Sequence, residues 1–506
     1  MPTPRPLADA RPDHAFPGAS IDRRTLLKST AAIAALASLD GLRQRTLART
    51  RDDAAPAERP TTPRAKNVIF MVSDGMSTGT LTLADIWLRK HAGNPSRWAS
   101  LWSQPGVRRA TARTHSADSL VTDSAAGGCA WGAGVHIDNG CINVTRDGRQ
   151  LMPILIRARQ ARKATGLVTT ARITHATPAS FFANVTRRDY EGMIAAQLLE
   201  RGLDVALGGG ARFFPESETS RHPEVHIVKT APELRSAPKD GRLLGIFDSD
   251  HVPYVLDRDD SIPGLVEMTR TALARLENNP EGFVLQVEGG RIDHAAHNND
   301  ACSLIREQVE FDAAIGAVLE WVAAASRRRD ETLIILTSDH GNANPGLTLY
   351  GEQAEAGFEF LAQGKKSFEW VAAQMQGAIA ATDRRDKMAA AVKSAFGYDL
   401  APDERELMAD CLQDRRAMAF FEANKWTSVL GAILADRCGV AFVSPNHTSD
   451  YVEVTALGPG SESVAAGVID NIDLHGVMVE ALALPEGKLL PDMQEPLRMP
   501  KPPKPD

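Results

Sequence analysis

The sequence predicts an α/β fold: a doubly wound, largely parallel central sheet flanked by helices, with an inserted helical cap region. Three observations predict it. Short apolar runs alternate with longer helical patterns, the runs are apolar on both faces as buried parallel strands are, and polar residues recur where the runs end. The runs, in chain order, are NVIFMVS, TGLVTTA, DVALGGG, GFVLQVEG and TLIILTSDHG. Each is short and bounded by Gly, Asp or Asn, which suits a strand better than a helix. REQVEFDAAIGAVLEWVAAASR, between the fourth and fifth runs, carries the helical period. The alternation breaks from 345 to 440, where SFEWVAAQMQGAIAA and PDERELMADCLQDRR read as Ala-rich and charged helices. That interval reads as an inserted helical cap rather than another βα unit, or as a helical cover over a sheet edge.

Length and composition limit what such a fold can do. A chain of 506 residues, 43% hydrophobic, can bury a large core. The net charge of -7, from 57 Lys+Arg against 64 Asp+Glu, supplies no excess positive charge for a phosphate backbone, so no nucleic-acid partner is expected. Cys129, Cys141, Cys302, Cys411 and Cys438 show no CxxC spacing, which removes zinc-ribbon and dithiol redox classes.

The chain divides into 1–63, an export signal and linker; 64–344, the first part of the core; 345–440, the helical insertion; 441–485, the rest of the core; and 486–506, a Pro-rich tail. In IDRRTLLKSTAAIAALASL the pair Arg23 and Arg24 precedes an apolar run over 31–39 that is too short to span a bilayer. Paired arginines before such a run resemble a twin-arginine signal, so the expected location is periplasmic or secreted, with metal collected before export.

The chemically active residues follow the strands. Asp74 comes after VIFMVS, Glu288 after VLQV, and Asp339 with His340 after LIILTS. Ligand sites in open parallel sheets lie at those carboxyl ends. Asp293 and His297 are four residues apart, one face of a helix, and His447 precedes a further strand-like run. Converging carboxylates repel one another and are costly to bury unless cations compensate them. The mixed Asp, Glu and His set suits zinc, and a harder all-oxygen set suits magnesium.

The phrases VSDGM, TDSAAG, THATPASFFANVTRR, LGGGARFF, QVEGGRIDHAAH, TSDHGN and NHT occur in the order found in alkaline phosphatases, and the chain resembles that family over 64–484. The resemblance implies hydrolysis of small phosphate monoesters through a phosphoserine intermediate, with two zinc ions and one magnesium ion. Ser124 is then the nucleophile and Arg188 the phosphate-binding arginine. One zinc falls to Asp74, Asp339 and His340, the other to Asp293, His297 and His447, and magnesium to Asp74, Thr177 and Glu288. Zinc would activate the serine and stabilise the leaving oxygen. No membrane span is expected, and a homodimer is compatible with the family.

Two departures from the best-known bacterial pattern bear on the ions. His175 stands where that pattern has an aspartate near magnesium, and His294 where it has a lysine reaching the phosphate through water; vertebrate-type members carry His at both. Weaker magnesium retention follows from exchanging a carboxylate for imidazole beside the ion. Asn342 replaces a histidine that supports the aspartate equivalent to Asp293, keeping a hydrogen-bond donor while changing the electrostatics. Sister enzymes of the superfamily, namely phosphodiesterases, phosphonate hydrolases and sulfatases, are the alternative, and a phosphate- or metal-sequestering binder is a remoter one.

Overall fold

The computed structural model describes residues 64–376, 381–412 and 425–498. The export segment expected within 1–63 lies outside the described residues. Fourteen strands follow in chain order: β1 (Asn67–Ser73), β2 (Arg108–Arg113), β3 (Ala164–Arg172), β4 (Val205–Gly209), β5 (Val225–Val228), β6 (Arg242–Ile246), β7 (Phe283–Gly289), β8 (Thr332–Thr337), β9 (Gly341–Asn342), β10 (Gly346–Leu347), β11 (Val440–Ala441), β12 (His447–Thr448), β13 (Val452–Leu457) and β14 (Gly467–Asp470). Ten of them form one sheet in the order β14-β2-β13-β8-β1-β7-β3-β4-β6-β5. All neighbours pair in parallel except β13, which runs against both β8 and β2. The large, mostly parallel sheet is the expected one.

Alternation along the central strand shows why both faces must be apolar. Val68, Phe70 and Val72 enter one core, while Ile69 and Met71 enter another on the opposite face. Every residue of β1, β7 and β8 is buried, so these strands place whatever follows them in a dry environment.

The long helix after β7 spans Ala301–Ala323 rather than starting at 306. Its early start has a local cause: the Asp300 carboxylate accepts the Ser303 backbone N–H at 3.0 Å and the Ser303 hydroxyl at 2.7 Å, capping the first turn. A separate short helix, Ser326–Glu331, follows before β8.

The interval expected to be helical contains Glu352–Ala362, Phe368–Gln374, Ala381–Phe396, Pro402–Leu412 and Trp426–Cys438. These helices share a third core, in which Phe358, Phe368, Val392 and Leu430 meet Leu83 and Ile305 of the sheet-flanking helices. Antiparallel pairing of β10 with β11 closes the base of the interval. All five cysteines are buried, Cys129, Cys141, Cys302 and Cys438 as free thiols. Among the described residues no helix is long and apolar enough to cross a membrane.

Candidate active site

β1, β7 and β8 lie side by side, so the residues leaving their carboxyl ends converge. Asp74 follows β1 directly, Glu288 is the penultimate residue of β7, and Asp339 and His340 sit two and three residues past β8. All four are fully buried. The turn after β1 depends on Gly75, which adopts φ +64°; a Cβ there would lie 2.5 Å from Asp293 Oδ1. Its N–H donates to Asp339 Oδ1 at 3.0 Å, joining two of the strand ends.

Three sets of side chains bring candidate metal-ligating atoms within 4.8 Å of one another: Asp74, Asp339 and His340; Asp293, His340 and His447; and Asp74, His175 and Glu288. His297 joins the second, with Nε2 3.3 Å from Asp293 Oδ2 and 3.0 Å from His447 Nε2. Both imidazoles are held from behind. His297 Nδ1 donates to Pro445 O at 2.6 Å and His447 Nδ1 to Thr122 O at 2.9 Å, which turns each Nε2 toward the cluster. β12 pairs with β9, setting His447 opposite Asn342. Asn342 Nδ2 in turn donates to Asp293 Oδ1 at 2.7 Å.

Thr177 donates to Asp74 Oδ2 at 3.3 Å, and Thr169 donates to Glu288 Oε2. Asp74 Oδ1 and Glu288 Oε1, both buried, receive no hydrogen bond. Burial, reinforced by Asp339, Asp293 and Glu288, pushes the Asp74 carboxyl well above the usual carboxylate range. Burial likewise pushes Glu288 up to about 7. Burial alone would raise Asp293 too, yet His297 and His447 hold it well below its ordinary value. Carboxylates this close in a dry site require cations, and their unpaired oxygens fit that need.

Ser124 opens the helix Ser124–Gly132, whose N-cap is Asp123; Asp123 Oδ1 accepts the Ala126 N–H at 3.0 Å. Ser124 Oγ lies 3.2 Å from His340 Nε2. The small residues of AAGGCAWG let this helix pack closely: a Cβ on Gly132 would lie 2.1 Å from Ser180 O. Arg188 reaches the same cleft, its Nη1 donating to Asp123 Oδ2 at 2.9 Å and its Nη2 lying 3.0 Å from His175 Nε2. The neighbouring Arg187 pairs with Asp189 at the surface. Burial, followed by the charge of Arg188, holds His175 well below its ordinary value, so the ring is neutral.

His294 meets His175 edge-on with ring centroids 5.5 Å apart, and Arg291 Nη1 lies 2.7 Å from its Nδ1. Two further residues complete this wall and were not singled out in the sequence. His251 packs against His294 at 4.2 Å and His175 at 5.5 Å. Arg172 holds His251, pairs both oxygens of Glu191 at 2.8 Å and reaches Asp250 at 2.6 Å. His251 stands in DSDHVPY, a polar loop with no helical or strand period, so nothing in its local spacing marked it. Arg291 also stacks on Tyr254 at 3.8 Å and pairs with Glu369 of the inserted helices.

The chain is similar to known proteins along most of its length. The alkaline phosphatase family model matches residues 65–484. Alkaline phosphatase 4 of Bacillus subtilis (strain 168) is 30% identical over 441 residues, covering 85% of this chain and 91% of that protein. The tissue-nonspecific isozyme of alkaline phosphatase from Homo sapiens is 31% identical over 336 residues, covering 55% of this chain and 63% of its own. Among solved structures, Thermus thermophilus alkaline phosphatase superposes with a TM-score of 0.77 at 32% identity, covering 86% of this chain and 95% of that one. A cold-active alkaline phosphatase from Shewanella sp. gives 0.69 at 26% identity, covering 82% and 99%.

Proposed function

The chain belongs to the alkaline phosphatase family and is a phosphoric monoester hydrolase, and from that premise we propose that Ser124 attacks the phosphorus of a monoester to form a phosphoseryl enzyme that water then cleaves. One observation carries the reading: Ser124 Oγ, at a helix N-terminus, lies 3.2 Å from His340 Nε2 among buried carboxylates, of which Asp74, Glu288 and Asp339 each keep an oxygen without a hydrogen bond. The family is metal-dependent, and the residues fit that dependence. Asp74, Asp339 and His340 would hold one zinc, Asp293, His297 and His447 the other, and Asp74, Thr177 and Glu288 a magnesium. The ions would make the serine hydroxyl more acidic and offset negative charge on the phosphoryl group and leaving oxygen.

The protein's own groups do the rest. The N-terminus of the Ser124–Gly132 helix directs its unpaired N–H groups and positive dipole end at the phosphoryl oxygens. The planar fork of Arg188, aimed between Asp123 and His175, suits two of those oxygens at once. A neutral His175 lets the fork approach without a second positive charge beside it. His294 and His251, both held down in pKa first by burial, form the neutral wall beside the fork. Retention of a serine together with the arginine fork favours a monoester dianion over the diesters and sulfates of sister enzymes.

The test uses chromogenic phosphate monoester, phosphate diester and sulfate ester substrates with wild type and Ser124→Ala, with metal content determined on the same samples. The expected outcome is monoester preference and a loss of at least about 1,000-fold in the variant at unchanged metal content. A diester or sulfate preference would move the assignment to the sister enzymes, and full activity in Ser124→Ala would remove the serine from the mechanism. Release of phosphate outside the cytoplasm rests on Arg23 and Arg24 as a twin-arginine signal; unchanged export after replacing both with Lys would overturn it.

A further inference from the structure

Outside the residues of the catalytic cluster, three residues from separate parts of the chain meet at the two ends of the segment that carries Ser124. His115 lies two residues past β2, His136 lies four past the helix Ser124–Gly132, and Asp470 ends β14. The sheet itself brings them together, because β14 pairs in parallel with β2 and sets Asp470 opposite Arg113. His136 Nε2 is 2.8 Å from Asp470 Oδ1, and His115 Nε2 is 3.6 Å from Asp470 Oδ2. The two imidazole rings stack with centroids 4.2 Å apart, and the three candidate ligand atoms all lie within 4.8 Å of one another.

The orientation of His115 says what this arrangement can take. Its Nδ1 lies 3.1 Å from Ser116 O, an acceptor only, so Nδ1 carries a proton and Nε2 is the nitrogen turned toward Asp470. At 3.6 Å from Asp470 Oδ2 it is beyond direct hydrogen-bond reach and placed to share a cation with that oxygen. A backbone carbonyl behind a histidine whose other nitrogen points at a carboxylate is the outer support that metal-binding histidines use. The cluster offers two imidazole nitrogens and a carboxylate, a donor set suited to zinc with a fourth position left to water. Side-chain exposures of 41% for His115, 17% for His136 and 24% for Asp470 leave the site open to solvent while holding it in place.

We propose that His115, His136 and Asp470 form a separate divalent-cation site, suited to zinc, that clamps the two ends of the segment bearing the nucleophile. Ser124 lies between the two histidines, nine residues after one and twelve before the other. The two flanks are already joined by Ala117 N–H to Ile137 O at 2.9 Å, Asn139 N–H to Asp118 Oδ1 at 3.0 Å and Asp123 N–H to Asn139 Oδ1 at 3.0 Å. A bound cation ties the outer ends of this ladder to β14, restricting the approach loop without contributing a group to the reaction.

The test dialyses the full-length protein against buffered zinc chloride and determines zinc per chain in wild type, His115→Gln and Asp470→Asn. Each variant is expected to hold one zinc fewer than wild type while keeping its activity on a monoester. Equal zinc in all three proteins overturns the site. A second measurement uses wild type alone, so that folding of a variant cannot confuse the result: carbethoxylation of histidines is followed by peptide mass spectrometry with and without zinc chloride. Zinc is expected to protect the peptides containing His115 and His136, and equal modification of both peptides with and without zinc would overturn the proposal.

Discussion

At the scale of single residues, Asp123 shows how much one side chain can organise. Its Oδ1 caps the Ser124–Gly132 helix, while Oδ2 accepts both the Gly140 N–H at 3.0 Å and the Arg188 fork at 2.9 Å. Asp123→Ala therefore removes a cap and leaves two donors short of a partner. A stability loss of about 1 kcal/mol is expected from the cap alone, read as a lower urea midpoint at unchanged slope. Asn342 acts through another residue: it fixes Asp293 through two bonds from Nδ2, to Oδ1 at 2.7 Å and to the backbone oxygen at 3.2 Å. Asn342→Leu should weaken zinc binding by about 10–100-fold, whereas Asn342→His, which keeps a donor, should retain most of it and alter the pH profile of turnover. Competition against a zinc chelator decides between them, and unchanged affinity in the leucine variant would show that the support is dispensable. Asp74, Glu288, Asp339 and His340 were legible because each ends an apolar run. His251 and Arg172 were not, since their meeting with His175 depends on how two loops are folded back, which no local period records.

At the scale of elements, the strands fall into two groups. β1, β7 and β8 are buried along their whole length, so their sequences are unbroken apolar runs that could be recognised one by one. β2 is RRATAR with only two buried positions, and β5 has one, because both lie near or at an edge where one face or end meets solvent. Such strands take their state from their neighbours rather than from their own composition. The Ser124–Gly132 helix is set by contact in the same way. Gly132 has Ser180 O where a Cβ would be, so Gly132→Ala forces the helix away from its support. A destabilisation of about 1–3 kcal/mol and reduced turnover are expected, since the shift moves Ser124. Gly192 provides the control, because a Cβ there meets nothing within 4 Å in the helix Glu191–Arg201. Gly192→Ala should raise stability by about 0.5 kcal/mol and leave turnover unchanged. Equal effects of the two substitutions would mean that helix propensity, not close approach, governs both sites.

At the scale of the whole molecule, the buried carboxylate cluster links metal content to the stability of the sheet. Glu288, raised by burial to about 7, and Asp74, raised further by its neighbours, bind protons more tightly in the folded chain than in the unfolded one. Their contribution to stability is therefore present at low pH and lost as pH rises through the folded values. His297 and His340, raised by Asp293 and Asp339 against the effect of burial, act in the same direction. His175, His294 and His447 are lowered by burial and act oppositely, but only below the ordinary histidine value of about 6.5. Above that pH they are neutral in both states and drop out. Bound cations reverse the dependence, because metal ligands must be deprotonated and binding grows as protons leave. The gap in Tm between metal-loaded and chelated protein should consequently widen by several degrees between pH 6.5 and 9. Groups elsewhere in the chain titrate alike in both samples and cancel in the difference. A gap that stays constant or narrows over that range would mean that the cluster is not where the metal binding energy enters the fold.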